Sequence, residues 1–96
     1  EAIPIKLKGH KILSVNSPLL HSKIGHILAK KQPPFAGVWH QMSPEKIKVS
    51  LRSEGGFDVS KIAKFFGGGG HKAAAAFVFP VRKKFPWKIL KTKHER

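Results

Sequence analysis

Acidic residues are scarce: five in 96, and only one of them, Asp58, is an aspartate. Metal-assisted hydrolysis of a phosphodiester needs several Asp and His ligands around one or two cations, and this inventory cannot supply them. The four glutamates are scattered, two of them at the termini, and His21 and His26 stand five residues apart, the wrong spacing for two ligands on one helical face. Cysteine is absent altogether, which removes disulfides, thiolate metal sites and a Cys nucleophile. No Ser-His-Asp arrangement is tied together by sequence. Long apolar runs are also missing: nothing approaches the ~20 residues of a membrane span, and no signal-type segment opens the chain. The expectation is a soluble protein without membrane contact, in a setting that the lack of cysteine allows to be cytoplasmic. The chain opens on Glu1 and not on Met, which reads as a fragment or a processed form.

What is present in excess is positive charge. Nineteen Lys and Arg give a formal net charge of +14, a field that draws polyanions and speeds their encounter, so nucleic acid or phosphorylated ligands are the expected partners. Any one lysine also has a plainer use; Lys30 and Lys31 fit the C-terminal turn of a helix, where cations complement the helix dipole. Hydrophobic residues make up 41% of the chain and alternate with charges in short runs, the pattern of a folded domain and not of a disordered basic tail. At 96 residues there is room for one domain with one modest core.

Ile3, Ile5 and Leu7 alternate with polar positions or proline and read as a short edge strand, and Ile12 to Val15 as another. Ser17-Pro18 signals a helix start, with Leu20, Ile24, Ile27 and Leu28 as its apolar stripe, Gly25 and Ala29 beside it for close packing, and Pro33-Pro34 as its end. Phe35 to His40 reads as a buried strand. In Lys46 to Arg52, Ile47, Val49 and Leu51 face one way and Lys48, Ser50 and Arg52 the other. Asp58 is the expected N-cap of a helix that buries Val59, Ile62, Ala63 and Phe66 and stops at Gly67. After it, His71 to Ala76 reads as a short helix, Phe77 to Phe79 as a strand, and Trp87 to Leu90 as a last strand inside a basic tail with a frayed end. The fold class expected is α/β: a mixed sheet of about five strands with packed helices and a Gly-rich loop at one rim.

The run Gly67-Gly68-Gly69-Gly70-His71 strips side chains from the backbone and leaves bare N–H groups, the chemistry of an anion cradle, with His71 adding a side-chain donor. It is not a P-loop, which needs Lys and then Ser or Thr after the last glycine. Nor is it the dinucleotide fingerprint, because Lys72 stands where a third small residue belongs. The alternative is that the glycines only cap the preceding helix and let it pack closely. Arg52, on the polar side of its strand, carries a guanidinium fork suited to bidentate phosphate contact, or else pairs with Glu54 or Glu45 at the surface. Ser50 and Ser53 are small donors beside it. Trp39 and Phe57 either stack on a base or belong to the core.

Together, Val49-Ser50-Leu51-Arg52-Ser53, Asp58-Val59-Ser60-Lys61-Ile62-Ala63 and the Gly-Gly-Gly-Gly-His run resemble the C-terminal substrate-binding domain of the DHH phosphoesterases over roughly residues 12 to 79. That family includes RecJ-like exonucleases, nanoRNases, phosphoadenosine-phosphate phosphatases and cyclic-dinucleotide phosphodiesterases. A related domain of alanyl-tRNA synthetases has a similar glycine run but usually lacks the following His. The resemblance implies that Arg52, Gly69, Gly70 and His71 contact the phosphate end or nucleotide of a substrate, and Asn16 matches an asparagine often found in the family, or is a turn residue. One departure is Ala76, where the family commonly has glycine. It further implies that the manganese site and the hydrolysis belong to a separate N-terminal DHH domain, which this chain lacks. The chain is then expected to bind a short oligonucleotide or small nucleotide without cleaving it, joined to that catalytic domain in an intact protein that is either a monomer or a homodimer. The reading from another class is a non-enzymatic basic RNA-binding domain, for which the +14 charge and the basic tail speak.

Overall fold

The computed structural model describes residues 2–90; the frayed end expected of the tail lies outside the described residues. Among these, the elements follow as β1 (Ile3–Leu7), β2 (His10–Asn16), α1 (His21–Lys31), β3 (Phe35–Ser43), β4 (Lys46–Ser53), α2 (Val59–Phe65), β5 (Gly69–His71), β6 (Ala74–Pro80) and β7 (Trp87–Ile89). All seven strands join one mixed sheet in the order β5-β6-β4-β3-β2-β1-β7. Only β2 and β3, linked through α1, run parallel; every other pair is antiparallel. The α/β class holds, with seven strands in place of about five.

The local chemistry accounts for most boundaries. Lys8 and Gly9 both take positive φ, 49° and 83°, the two-residue turn whose twist suits a hairpin, so β1 and β2 pair directly. β1 is not an edge strand as its alternation suggested, because β7 covers its outer side. The helix signalled at Ser17-Pro18 begins later, at His21, after Leu20 in the left-handed region (φ 56°), and the Ser17 hydroxyl is turned back on Leu19. Leu28, Ala29 and Gly25 face the sheet, whereas Leu20 and Ile27 are 66% and 53% exposed and leave the expected stripe. Asp58 caps α2 as its sequence position suggests, its carboxylate accepting from the Ser60 amide at 3.0 Å. Gly67, at φ 88°, ends it: its N–H donates to Lys64 O and that of Gly68 to Ala63 O, the paired bonds of a Schellman motif.

The segment His71 to Ala76 is not a helix. It is the turn and flanks of a hairpin in which Gly69, Gly70 and His71 oppose Ala76, Ala75 and Ala74. Alanine favours helix in isolation, but here seven consecutive register positions against β4, from Lys46↔Pro80 to Arg52↔Ala74, outweigh that preference. The turn is also tied down from both sides, with Ser53 N–H donating to Ala73 O and Val59 N–H, the first free amide of α2, donating to Lys72 O.

The helices lie on opposite faces. The α2 face holds the main core, in which Ile5, Leu7, Ile12, Phe35, Val49, Leu51 and Phe77 form one buried cluster with Val59, Ile62 and Ala63. Removing a phenylalanine side chain such as Phe35 or Phe77 from water contributes about 2–3 kcal/mol. Trp39 and Phe57 belong to this side: Phe57 stacks on Phe35 at 5.0 Å, and Trp39 meets Phe85 and Trp87 at 5.0 and 6.1 Å. The α1 face has a smaller cluster of Leu28, Ala29 and Ala36 with Leu13, Val15 and Ile24 around it.

Candidate functional site

Strand alternation sets out the α1 face in rows. Arg52 of β4 opposes Ala74 of β6, which opposes His71 of β5; one row along, Ser50 opposes Ala76, which opposes Gly69; the next pairs Lys48 with Val78. Helix α1 roofs β4 through His21 and Gly25, which meet Ser50 and Arg52. Beyond it, Ala74 and Ala76 stay half-buried and His71 exposed. The result is a shelf with a flat floor of two methyl groups and Gly69, cations along the β4 side and an imidazole at the outer edge. Two inter-strand steps at ~4.8 Å place the Arg52 and His71 backbones about 10 Å apart.

Arg52 is held from below and above. Its stem lies against Gly25 so closely that a Cβ there would come within 2.5 Å of the Arg52 Cγ, which explains a glycine in mid-helix. Its Nη1 donates to Leu51 O at 2.9 Å and to Ala75 O at 3.4 Å, laying the guanidinium over the seam between β4 and β6. Nε is buried with no partner, and burial lowers the side chain's pKa from its ordinary value. Glu54, the carboxylate expected to neutralise it, instead stands 3.5 Å from His26. Among the described residues no carboxylate lies within ion-pair distance of Arg52. A charge held in place without a counter-ion is one that an anion stabilises.

His21 and His40 were not singled out as partners by spacing, since they are brought together only when α1 packs on β3 and β4. The His21 Nε2–H donates to the carbonyl of Ser17, so its Nδ1 accepts from the Ser50 hydroxyl at 2.8 Å, and His40 Nδ1 lies 3.2 Å from His21 Nε2. Burial lowers the His21 pKa, the Ser17 carbonyl opposes this, and the charges of His40, Lys48 and Arg52 lower it further. With the folded value below the ordinary 6.5, the unfolded chain takes up the proton first. Stability from this group is therefore complete above about pH 6.5 and is lost as pH falls through the folded value. Thermal melts from pH 7.5 to 5 should show a loss that His21→Gln reduces; an identical loss in both proteins would remove His21 as its source.

The sequence candidates separate accordingly. Arg52, Gly69 and His71 share the shelf, and Gly70 is part of the same edge strand, where the bare backbone runs along an open sheet edge and not through a free loop. Ser50 is on this face but beneath α1, 2% exposed, with its hydroxyl engaged by His21. Ser53 lies on the other face, fully buried, donating to Phe57 O at 2.7 Å. Asn16 sits at the end of β2, opposite Trp39 and three strands from β6, away from the shelf. Lys48, half-buried in line with Arg52, is a site residue that the alternation of β4 already marked. The four glycines divide as well. A Cβ at Gly68 would stand 2.1 Å from Ala76 O, and one at Gly70 2.5 Å from the Ala75 Cα, whereas one at Gly69 would meet nothing within 4 Å.

Among the described residues no group of three or more His, Cys, Asp or Glu is placed to hold a metal ion. Nor is any helix among them long and apolar enough to cross a membrane. The fold and this face define a small α/β domain in which an arginine with no carboxylate partner among the described residues, a glycine edge strand and a histidine lie along one open shelf. The chain belongs to the DHHA1 domain family, whose model matches residues 11–90, the DHH-associated C-terminal domain of the DHH phosphoesterases. In that family such domains accompany an N-terminal DHH catalytic domain. No curated protein matches the chain.

Proposed function

We propose that this domain is the substrate-gripping half of a DHH-type phosphodiesterase that acts on short oligonucleotides or small nucleotides. The observation that carries the reading is the Arg52 guanidinium, fixed over the shelf by two carbonyls and with no carboxylate in ion-pair reach among the described residues. A phosphate lying on the shelf takes charge-assisted bonds from Arg52, with Lys48 along one side and His71 at the other. The flat floor of Ala74, Ala76 and Gly69 accepts a sugar or base face, where a larger side chain would stand in its way. The extra methyl of Ala76, relative to the family's usual glycine, belongs to this floor. Hydrolysis is the work of the catalytic domain and its manganese, and the residues described here bind and orient. The test is to incubate the chain with a 5′-phosphorylated dinucleotide and Mn²⁺. Saturable binding with the dinucleotide recovered intact is expected; turnover by the purified chain, or no binding, contradicts the reading.

A further inference from the structure

One row beyond the Ser50 hydroxyl that His21 covers, the α1 face carries a second pair of donors. His40 of β3 stands directly opposite Lys48 of β4, and Lys48 directly opposite Val78 of β6. Alternation puts all three on this face: Val38, two residues before His40, packs toward Gly25 of α1, while Lys48 and Val78 alternate with the core residues Ile47 and Val49, and Phe77 and Phe79. The His40 ring meets that of His21 edge-on at 4.8 Å, which sets it on the same side. Helix α1 starts with His21 at Ser50 and runs toward Gly25 at Arg52, away from this row, and so leaves it unroofed. β5 stops short of it as well, its pairing along β6 ending at Gly69 with Ala76. His40 and Lys48 are half-buried, and Val78 is 42% exposed.

The contact with His21 fixes which atom His40 presents. His21 Nε2 carries a proton that it gives to the Ser17 carbonyl, so the His40 Nδ1 facing it at 3.2 Å is bare and accepts. In the neutral imidazole the single N–H is then Nε2–H, on the ring edge away from His21. Lys48 sets a positive charge beside this donor, and among the described residues no carboxylate lies within ion-pair distance of it. The charges of Lys48 and Arg52 both reach the His21 imidazole and lower its pKa. Four residues of strand separate the two cations, ~13 Å. The floor beside them is continuous, with Ala74, Ala76 and Val78 in single file along β6.

We infer, on the footing that Arg52 holds one phosphate as proposed above, that Lys48 and His40 hold a second, so that the shelf takes an oligonucleotide of three or more residues lying along β6 and not a single nucleotide. Nucleotides advance by at least ~3.4 Å each along a strand, so no more than about four of them span the distance from Arg52 to Lys48. Past this row β4 continues only to Lys46, which is exposed, and a strand can run on. A site for one nucleotide would instead enclose its ligand on most sides. In this arrangement the Lys48 ammonium neutralises the second phosphate and His40 Nε2–H directs a bond to it, while the methyl groups of the floor carry the sugars between.

The experiment titrates three ligands over a range of salt: a dinucleotide and a tetranucleotide, both without terminal phosphates, and a nucleoside 3′,5′-bisphosphate. On the wild-type chain the tetranucleotide should bind about tenfold more tightly than the dinucleotide. Its plot of log K against log salt should be steeper by ~0.7, the value for one more phosphate neutralised on a single strand. Lys48→Gln should bring the two ligands to within about twofold of each other, remove the added slope, and melt as the wild type does. His40→Phe keeps a ring but has no N–H; it should cost the tetranucleotide about fivefold and retain the added slope, because a neutral donor releases no counter-ion. Arg52→Met should weaken both ligands alike. A tetranucleotide advantage that survives Lys48→Gln, or none in the wild type, overturns the inference, while a loss in Arg52→Met still upholds the shelf. It is also overturned if the bisphosphate gains as much from Lys48 as the tetranucleotide does, which would make the ligand a single nucleotide. Dinucleotide binding that Arg52→Met leaves unchanged is instead the failure of the shelf reading.

Discussion

Gly68→Ala and Gly70→Ala should each destabilise the domain by about 3 kcal/mol or more. For a domain of this size that lowers the melting temperature on the order of 15 °C. At position 68 the new methyl meets a strand carbonyl, Ala76 O, and at position 70 it meets the Ala75 backbone while the residue holds φ 146°, a conformation L side chains rarely adopt. Neither obstacle is a flexible side chain, so β5 must move away from β6. Gly69→Ala is the counterpart in the same strand. Its methyl points into open space over the shelf, so stability should stay within about 0.5 kcal/mol. Dinucleotide affinity should nevertheless fall about tenfold, or 1.4 kcal/mol. Thermal melts and calorimetric titration of the three variants separate the roles: a fragile Gly69→Ala, or one that binds as the wild type does, would mean the glycine edge serves packing alone.

Arg52→Met should weaken dinucleotide binding by roughly 2 kcal/mol, about thirtyfold, the range for losing a charge-assisted fork. Methionine is the informative replacement. The Arg52 stem fills the space beneath Gly25, so truncation to alanine would open a void under α1 and mix a packing loss into the binding loss. Methionine keeps most of that volume and removes the charge and every donor. The variant is expected to fold with α1 in place and to lose salt dependence along with affinity. Full affinity in Arg52→Met would assign the residue to holding α1 on β4; loss of the fold, with Arg52→Lys also unfolded, would do the same.

The reasons some of this was legible in the sequence and some was not are physical. β4 declares itself because one face is buried and the other polar, and a period of two survives in Ile47, Val49 and Leu51 against Lys48, Ser50 and Arg52. The limits of α2 are chemical signals, a carboxylate cap and a left-handed glycine, and both act as their positions suggest. β5 gave no such sign, since two of its three residues are glycine and its strand character comes only from pairing with β6. The alanines of β6 have no contrast of polarity from which to read a period. What covers the polar side of β4 was equally hidden: nothing at positions 21 and 50 announces that α1 will lay an imidazole over that hydroxyl, 29 residues away in the chain. Ser50 and Ser53, neighbours in the site as first read, therefore end on opposite faces, one under a helix and one in the core. Arg52 and His71 fall on one face because each stands opposite Ala74 of β6, a pairing that the helix expected over His71 to Ala76 could not have shown.

The most direct measurement is to follow backbone and side-chain NMR signals of the isotope-labelled chain while titrating a 5′-phosphorylated dinucleotide. The account predicts that the largest shifts fall on Gly69, Gly70, His71, Ala74 and Ala76 and on the Arg52 guanidinium. Ser53 and Asn16, on the other face and at the far end of β2, should change little. Shifts centred on Asn16, Trp39 or the α2 face, or none at saturating ligand, would contradict it.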